Sequence, residues 1–243
     1  MNTLRVATYN IHKGVQGLGP VRRLEIHNLQ QAVAQLNADI VCLQEVRGFN
    51  RKMQRHFPHW PAEGQAQVLA PSGYEAVYRT NAVTRHGEHG NALLSRWPVL
   101  GYGHHDVSDH RFEQRGLLHV TVQVGERPVH VVVVHLGLIH ASRERQVQAV
   151  GQFIEREVPA HAPLIVAGDF NDWGARLHDP MARLGLRTFE GIRLPTFPAR
   201  LPLLHLDRIY VRGLKLVHAQ VPHGPAWVRL SDHLPLVAEL ALL

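Results

Sequence analysis

Cysteine is almost absent: Cys42 is the only one in 243 residues. That excludes an intramolecular disulfide and a thiolate metal cluster, and a chain without disulfides suits a reducing cytoplasm. Cys42 lies inside the apolar run Asp39-Ile-Val-Cys-Leu and reads as a small core residue. Long apolar runs are also missing. None approaches the roughly 20 residues a membrane-spanning helix needs, so no transmembrane segment is expected. The start, MNTLRVATYN, lacks a basic region followed by an apolar core, and no secretory signal is expected. There is no internal repeat, low-complexity segment or long linker, so residues 1–243 are expected to form a single, monomeric domain. Lysine is scarce too, with only Lys13, Lys52 and Lys215 against many arginines.

The net charge is +6, which favours anionic partners such as nucleic acid, a phospholipid surface or phosphorylated metabolites. Arginine grips phosphate bidentately. The basic residues are spread along the chain, however, and most are expected on a solvated surface.

The stretch Leu164–Trp173, LIVAGDFNDW, carries the strongest local signal. An apolar strand, Leu164 to Ala167, runs through a glycine into Asp169, Asn171 and Asp172. Ligands collect beyond strand ends in α/β sheets, although a plain Gly-Asp-Asn turn has the same composition. Other strands end in the same manner. Leu4 to Asn10 alternates and ends at Asn10, Asp39 to Val46 reaches Glu45, and a hairpin of Gly116–Val124 and Pro128–His135 ends at His135. Leu206 to Val211 starts at Asp207, and Ser231-Asp232-His233 precedes a strand over Leu234 to Leu240. Val21 to Leu36 has helical spacing stopped by Asn37, and Ser142 is placed to cap a helix running to about Val158. A short helix is expected over Pro180 to Leu184, a strand over Tyr74 to Tyr78, and a polar turn-rich stretch over Arg79 to Gly90. Hairpins mixed with strand–helix alternation predict an α/β fold of two mixed sheets packed together with helices outside.

Strand-end acids, amides and histidines are together the parts of one site. Carboxylate and amide oxygens are hard ligands that favour Mg²⁺ or Mn²⁺. Zinc would require cysteines or a helical histidine pair, which the 19 histidines do not supply. A histidine beside a carboxylate, a water-orienting Asp169 and a metal suit phosphoester hydrolysis.

These residues resemble the endonuclease/exonuclease/phosphatase superfamily. The resemblance runs through Thr8-Tyr9-Asn10, Leu43-Gln44-Glu45, Gly90-Asn91-Ala92-Leu93-Leu94-Ser95-Arg96, Val134-His135-Leu136, Gly168-Asp169-Phe170-Asn171, Leu206-Asp207-Arg208-Ile209 and Ser231-Asp232-His233. It implies a four-layered α/β sandwich and a metal-dependent phosphodiester hydrolase. In that resemblance Glu45, Asn10 and Asp232 form the metal site, with Glu45 the direct ligand. Asp169 activates water, Asn171 helps bind the transition state, His233 is the essential C-terminal histidine and Asp207 orients it. His135 is a phosphate contact or proton donor, with Glu88 a candidate partner for it. Asp172 has no role in the resemblance and is expected to face solvent or stabilise the turn.

His12, Lys13, Asn91, Arg143 and Phe197 are further candidates for substrate binding. His12 and Lys13 are phosphate contacts or exposed turn residues, and Arg143 is a phosphate contact or a solvated helix residue. Phe197 sits in Arg187–Pro202, an arginine- and aromatic-containing segment expected to border the site. That composition fits nucleic acid and a phospholipid head group equally. The competing readings are a phosphomonoesterase acting on inositol phosphates and a non-catalytic binding module on the same fold.

Overall fold

The computed structural model describes residues 3–17 and 19–243. Thirteen strands appear among them: β1 (Thr3–Asn10), β2 (Val15–Gln16), β3 (Arg23–Leu24), β4 (Ile40–Val46), β5 (Glu75–Thr84), β6 (Gly87–Ser95), β7 (Val99–Asp106), β8 (Gly116–Val124), β9 (Arg127–His135), β10 (Leu164–Asp169), β11 (Asp207–Arg212), β12 (Leu214–Gln220) and β13 (Leu236–Leu242). Five α-helices accompany them: α1 (Ile26–Leu36), α2 (Arg51–His56), α3 (Gln65–Leu69), α4 (His140–Glu157) and α5 (His178–Arg183). The strands form a six-stranded sheet in the order β12-β13-β1-β4-β6-β5 and a five-stranded sheet in the order β11-β10-β9-β8-β7, with β2 and β3 as a separate ribbon. Both large sheets mix parallel and antiparallel pairs, as the pattern predicts.

The period of two along each strand divides the core into three apolar layers. Leu4 and Val6 of β1, Ile40 and Cys42 of β4, Val131 and Val133 of β9, Ile165 and Ala167 of β10, and Ile209 of β11 meet between the sheets. Ala7, Tyr9, Val41 and Leu43 face the other way, against Ile26, Leu29, Val33 and Leu36 of α1. Val132, Val134, Leu164 and Val166 turn outward against Val147, Val150 and Ile154 of α4. The result is the four-layered sandwich, helix on sheet on sheet on helix. The buried Cys42 has its thiol pKa pushed up by desolvation, which keeps it inert.

Several local expectations change. The helix expected from Val21 begins only at Ile26, because Arg23 and Leu24 pair with Val15 and Gln16 instead. Asn37 ends it in the left-handed region, at φ 46°. Arg79 to Gly90 is not a loop but the tip of the long β5–β6 hairpin; its polarity reflects an edge strand with one solvated face. Ser142 does not cap α4, which already begins at His140, and its hydroxyl donates to Asp109 Oδ2 at 2.6 Å.

Gly168 shows how tightly the strand carrying Asp169 is held. Its φ is +154°, and a Cβ there would lie 1.9 Å from the Val134 carbonyl oxygen of β9. Gly168→Ala is therefore expected to cost about 2–4 kcal/mol and lower Tm by roughly 5–15 °C. Gly101→Ala, where a Cβ would meet nothing within 4 Å, serves as the control and should leave Tm almost unmoved. Equal melting of the two variants by differential scanning calorimetry would refute the steric account.

Candidate active site

The same period of two that builds the inter-sheet core also builds the site. Continuing β1 along the parity of Leu4 and Val6 reaches Asn10. Continuing β9 along Val131 and Val133 reaches His135. Continuing β10 along Ile165 and Ala167 reaches Asp169, and running β11 back from Ile209 reaches Asp207. All four therefore project between the sheets at one end of the sandwich. The register makes the juxtaposition direct, with His135 and Asp207 the lateral Cα partners of Asp169 on either side.

Glu45 breaks this parity. Alternation from Val41 and Leu43 would point it toward α1. Instead, the β4–β6 register shifts between Leu43 and Val46, and Glu45 takes φ 57°. A bulge of this kind re-aims one side chain. Four of the six non-glycine residues with positive φ among the described residues lie at this end: His12, Lys13, Glu45 and Asn171. Such conformations cost energy and cluster at functional sites.

Asp169 is the hub. Its Oδ2 accepts from Asn10 Nδ2 at 3.1 Å and lies 3.6 Å from both His135 Nε2 and His233 Nε2. Its Oδ1 accepts from the Asn171 backbone N–H at 2.9 Å. His233 Nδ1 is 2.8 Å from Asp207 Oδ2. All of these side chains are buried. Burial raises the Asp169 carboxyl above the usual carboxylate range, with Asp207 adding to the effect and His233 and His135 opposing it. For His233, burial favours the neutral ring, but Asp207 and Asp169 outweigh it and push the imidazole up to about 10. His135 goes the other way. Burial, with Arg115 adding to it, lowers the ring to about 4, so it is neutral at pH 7. The site thus holds one imidazolium between two acidic side chains and one neutral imidazole.

The remaining candidates fall in two groups. Asn10 Oδ1 accepts the His12 N–H at 3.1 Å, His12 Nδ1 lies 3.2 Å from Asp232 Oδ2, and Lys13 Nζ lies 2.8 Å from Glu45 Oε2. Burial would raise the Glu45 carboxyl, but Lys13, with His135 and His12, holds it well below the usual range. His12 and Lys13 thus lie beside Asn10, Glu45 and Asp232 in the turn after β1, both only partly exposed. Phe197 packs its ring 4.9 Å from that of His233 and 6.0 Å from that of Trp173, on the rim.

Three expectations are corrected, and a fourth, on Asp172, is narrowed to one of its two alternatives. Asn91 does not reach substrate: it is fully buried, and its amide donates to the Gly116 and Val133 carbonyls, because its parity on β6 turns it between the sheets. Arg143 is neither a phosphate contact nor solvated. It is buried, and its Nη1 donates to the carbonyls of Gly137 and Leu138, clamping the loop that follows His135. Glu88 lies against Gly48 and Tyr78, while His135 faces Asp169. Asp172 is buried and does not face solvent; its two oxygens accept from the N–H groups of Arg176 and Leu177, so it stabilises the turn.

Oxygen donors from Glu45, Asn10 and Asp232 meet the hard-ligand requirement of Mg²⁺ or Mn²⁺. The carboxylate of Glu45 is largely but not fully buried and has a cation already against it, so positive charge is stabilised at that point. The tightest cluster of ligand-type atoms among the described residues is a different one: Asp169, Asp207 and His233, within 4.8 Å of one another. There the His233 Nδ1–Asp207 contact is a hydrogen bond, the arrangement of an oriented imidazole. Sequence reasoning missed Arg47, two residues beyond Glu45, and Trp173, which follows Asp172 and stands exposed at the rim.

Strand ends of two stacked sheets that converge on a carboxylate–imidazole pair define a class of α/β sandwich. The chain belongs to the endonuclease/exonuclease/phosphatase family, whose model matches residues 7–233. It is 38% identical over 248 aligned residues to the uncharacterized protein YbhP of Escherichia coli K12, covering 99% of this chain and 97% of that one. Its fold is similar to that of the endonuclease/exonuclease/phosphatase from Bacteroides vulgatus, with TM-score 0.77, 18% identity and full coverage of both chains. It is also similar to D. rerio TDP2 complexed with single-strand DNA product, with TM-score 0.68, 18% identity and 99% of each chain covered. No helix among the described residues is long and apolar enough to cross a membrane.

Proposed function

We propose that this protein is a divalent-metal-dependent phosphodiester hydrolase. The observation that carries this reading is the convergence of Asn10, His135 and His233 on Asp169 Oδ2, with the far nitrogen of His233 held by Asp207. A buried carboxyl whose pKa is raised is a stronger base than an ordinary carboxylate, which suits it to take a proton from water. In this reading Asp169 orients the attacking water and takes its proton as the new P–O bond forms in line with the departing oxygen. His233, kept cationic by Asp207, hydrogen-bonds a non-bridging phosphoryl oxygen and stabilises the charge that builds there. Asn171 has one amide hydrogen committed to the Leu136 carbonyl at 2.9 Å, which aims the other at the phosphoryl group. His135 is neutral and serves as a hydrogen-bond partner for the phosphate. Glu45, with Asn10 and Asp232, would hold the metal, which when bound neutralises charge on the phosphoryl oxygens.

A non-catalytic binding module has no use for a water-activating acid beside an oriented imidazolium, which disfavours that alternative. The phosphomonoesterase reading keeps the same chemistry and differs only in substrate. Bis-p-nitrophenyl phosphate tests the central claim. Wild-type protein should hydrolyse it with Mg²⁺ or Mn²⁺ and stop on chelation. Glu45→Gln should need at least about tenfold more metal for half-maximal rate. Hydrolysis that persists unchanged in excess chelator would sink the metal assignment.

A further inference from the structure

The turn after β1 and the loop after β4 carry more than Asn10 and Glu45. Between them lies a concavity of about 330 Å³ lined by His12, Lys13, Arg22, Arg47, Lys52 and His86, with no Asp or Glu in its wall. Glu45 compensates Lys13, but Arg22, Arg47 and Lys52 make no ion pair among the described residues. A cleft lined by one sign of charge concentrates counter-ions of the other sign.

Arg47 is the most informative member. Its backbone is fixed on both sides by Gln65, which accepts the Arg47 N–H through Oε1 and donates its own N–H to the Arg47 carbonyl, both at 2.9 Å. Its guanidinium is held 5.8 Å from the Trp60 ring centroid. Yet Arg47 Nη1 is buried and finds no hydrogen-bond partner among the described residues. A positioned, buried donor left unpaired calls for a missing acceptor. The cationic surface also continues. A second concavity, of about 410 Å³, shares Lys52 and His86 with the first and adds Arg51, Arg55 and Arg85. A single phosphorylated headgroup would fill one concavity and leave the other unmatched. Two in series fit successive phosphates of a chain, which binds through such grooves.

We propose that this pair of concavities is a backbone subsite for a single-stranded nucleic acid, with Arg47 gripping a phosphate next to the scissile one and Arg51, Arg55 and Arg85 following the strand outward. This rests on the phosphodiesterase reading above and narrows its substrate to a strand with several phosphates.

The test uses full-length wild type, Arg47→Gln and Lys52→Gln, the last guarding against a folding defect at the more buried position. Binding of a fluorescein-labelled single-stranded oligonucleotide is followed by anisotropy over a salt series. Hydrolysis of the oligonucleotide is compared with that of bis-p-nitrophenyl phosphate, which has no second phosphate. Arg47→Gln should raise Kd at least about tenfold and reduce the salt slope by about 0.7 for each phosphate it no longer neutralises. Lys52→Gln should shift both in the same direction by less. For Arg47→Gln, kcat/KM on the oligonucleotide should fall at least about tenfold further than on the small diester. The subsite is overturned if both substrates lose the same factor, if oligonucleotide binding is unmoved, or if inositol hexakisphosphate or phosphatidylglycerol vesicles depend on Arg47 while the oligonucleotide does not. The two readings fail separately. Arg47-dependent binding by a wild type that hydrolyses nothing removes the hydrolase and keeps the subsite. Active wild type with oligonucleotide binding indifferent to Arg47 does the reverse.

Discussion

Asp169→Asn should lower kcat on bis-p-nitrophenyl phosphate by about 10³-fold or more, with a native far-ultraviolet spectrum. The size follows from what the carboxylate is asked to do. General-base catalysis contributes roughly 10²–10⁴-fold, and an amide cannot accept the proton. The substitution also brings an N–H donor to a place where Asn10 Nδ2 and the Asn171 N–H already donate, so orientation of the attacking water suffers as well. The KM should move little, since the loss lies in the transition state. Activity within about tenfold of wild type would exclude Asp169 as the base.

The second large effect belongs to His233. His233→Gln should reduce kcat by about 10²–10³-fold, the range for removing a donor that stabilises a developing oxyanion. Asp207→Asn should cost less, because it weakens the hold on Nδ1 and leaves Nε2 in place, with His233 still facing Asp169. The double variant should be little worse than His233→Gln alone, since the two act as a unit. Multiplicative losses in steady-state kinetics would show instead that Asp207 has a role of its own, separate from His233.

The corrected residues share a cause. Asn91 and Asp169 look alike in sequence, each a polar residue after a glycine in an apolar stretch. Asn91 lies in mid-strand on β6, where its neighbours are the carbonyls of Gly116 and Val133. Asp169 is the last residue of β10, where the strand has run out. Arg143 departs from expectation because a helix's first turn is usually solvated, whereas here the loop after His135 folds over it. Glu45 stands out for its chemistry, although its alternation points it away from the site; a bulge turns it back. Arg47 carries no signal in the sequence beyond its distance of two residues from Glu45, because an unpaired donor can be recognised only once its surroundings exist.

By itself the sequence determined most of the strands of the two large sheets, the faces they bury and the polar residues at their ends, because alternation and helical spacing are local properties written in apolar periodicity. It also determined the motif order that belongs to the family. Tertiary structure alone decided which ends meet. The lateral pairing of His135, Asp169 and Asp207, the left-handed turn at Glu45, the opposite charge states of His135 and His233, and the series of cations around Arg47 all depend on groups far apart in the chain. Burial and Coulomb interactions act through space, and packing two sheets together sets those distances.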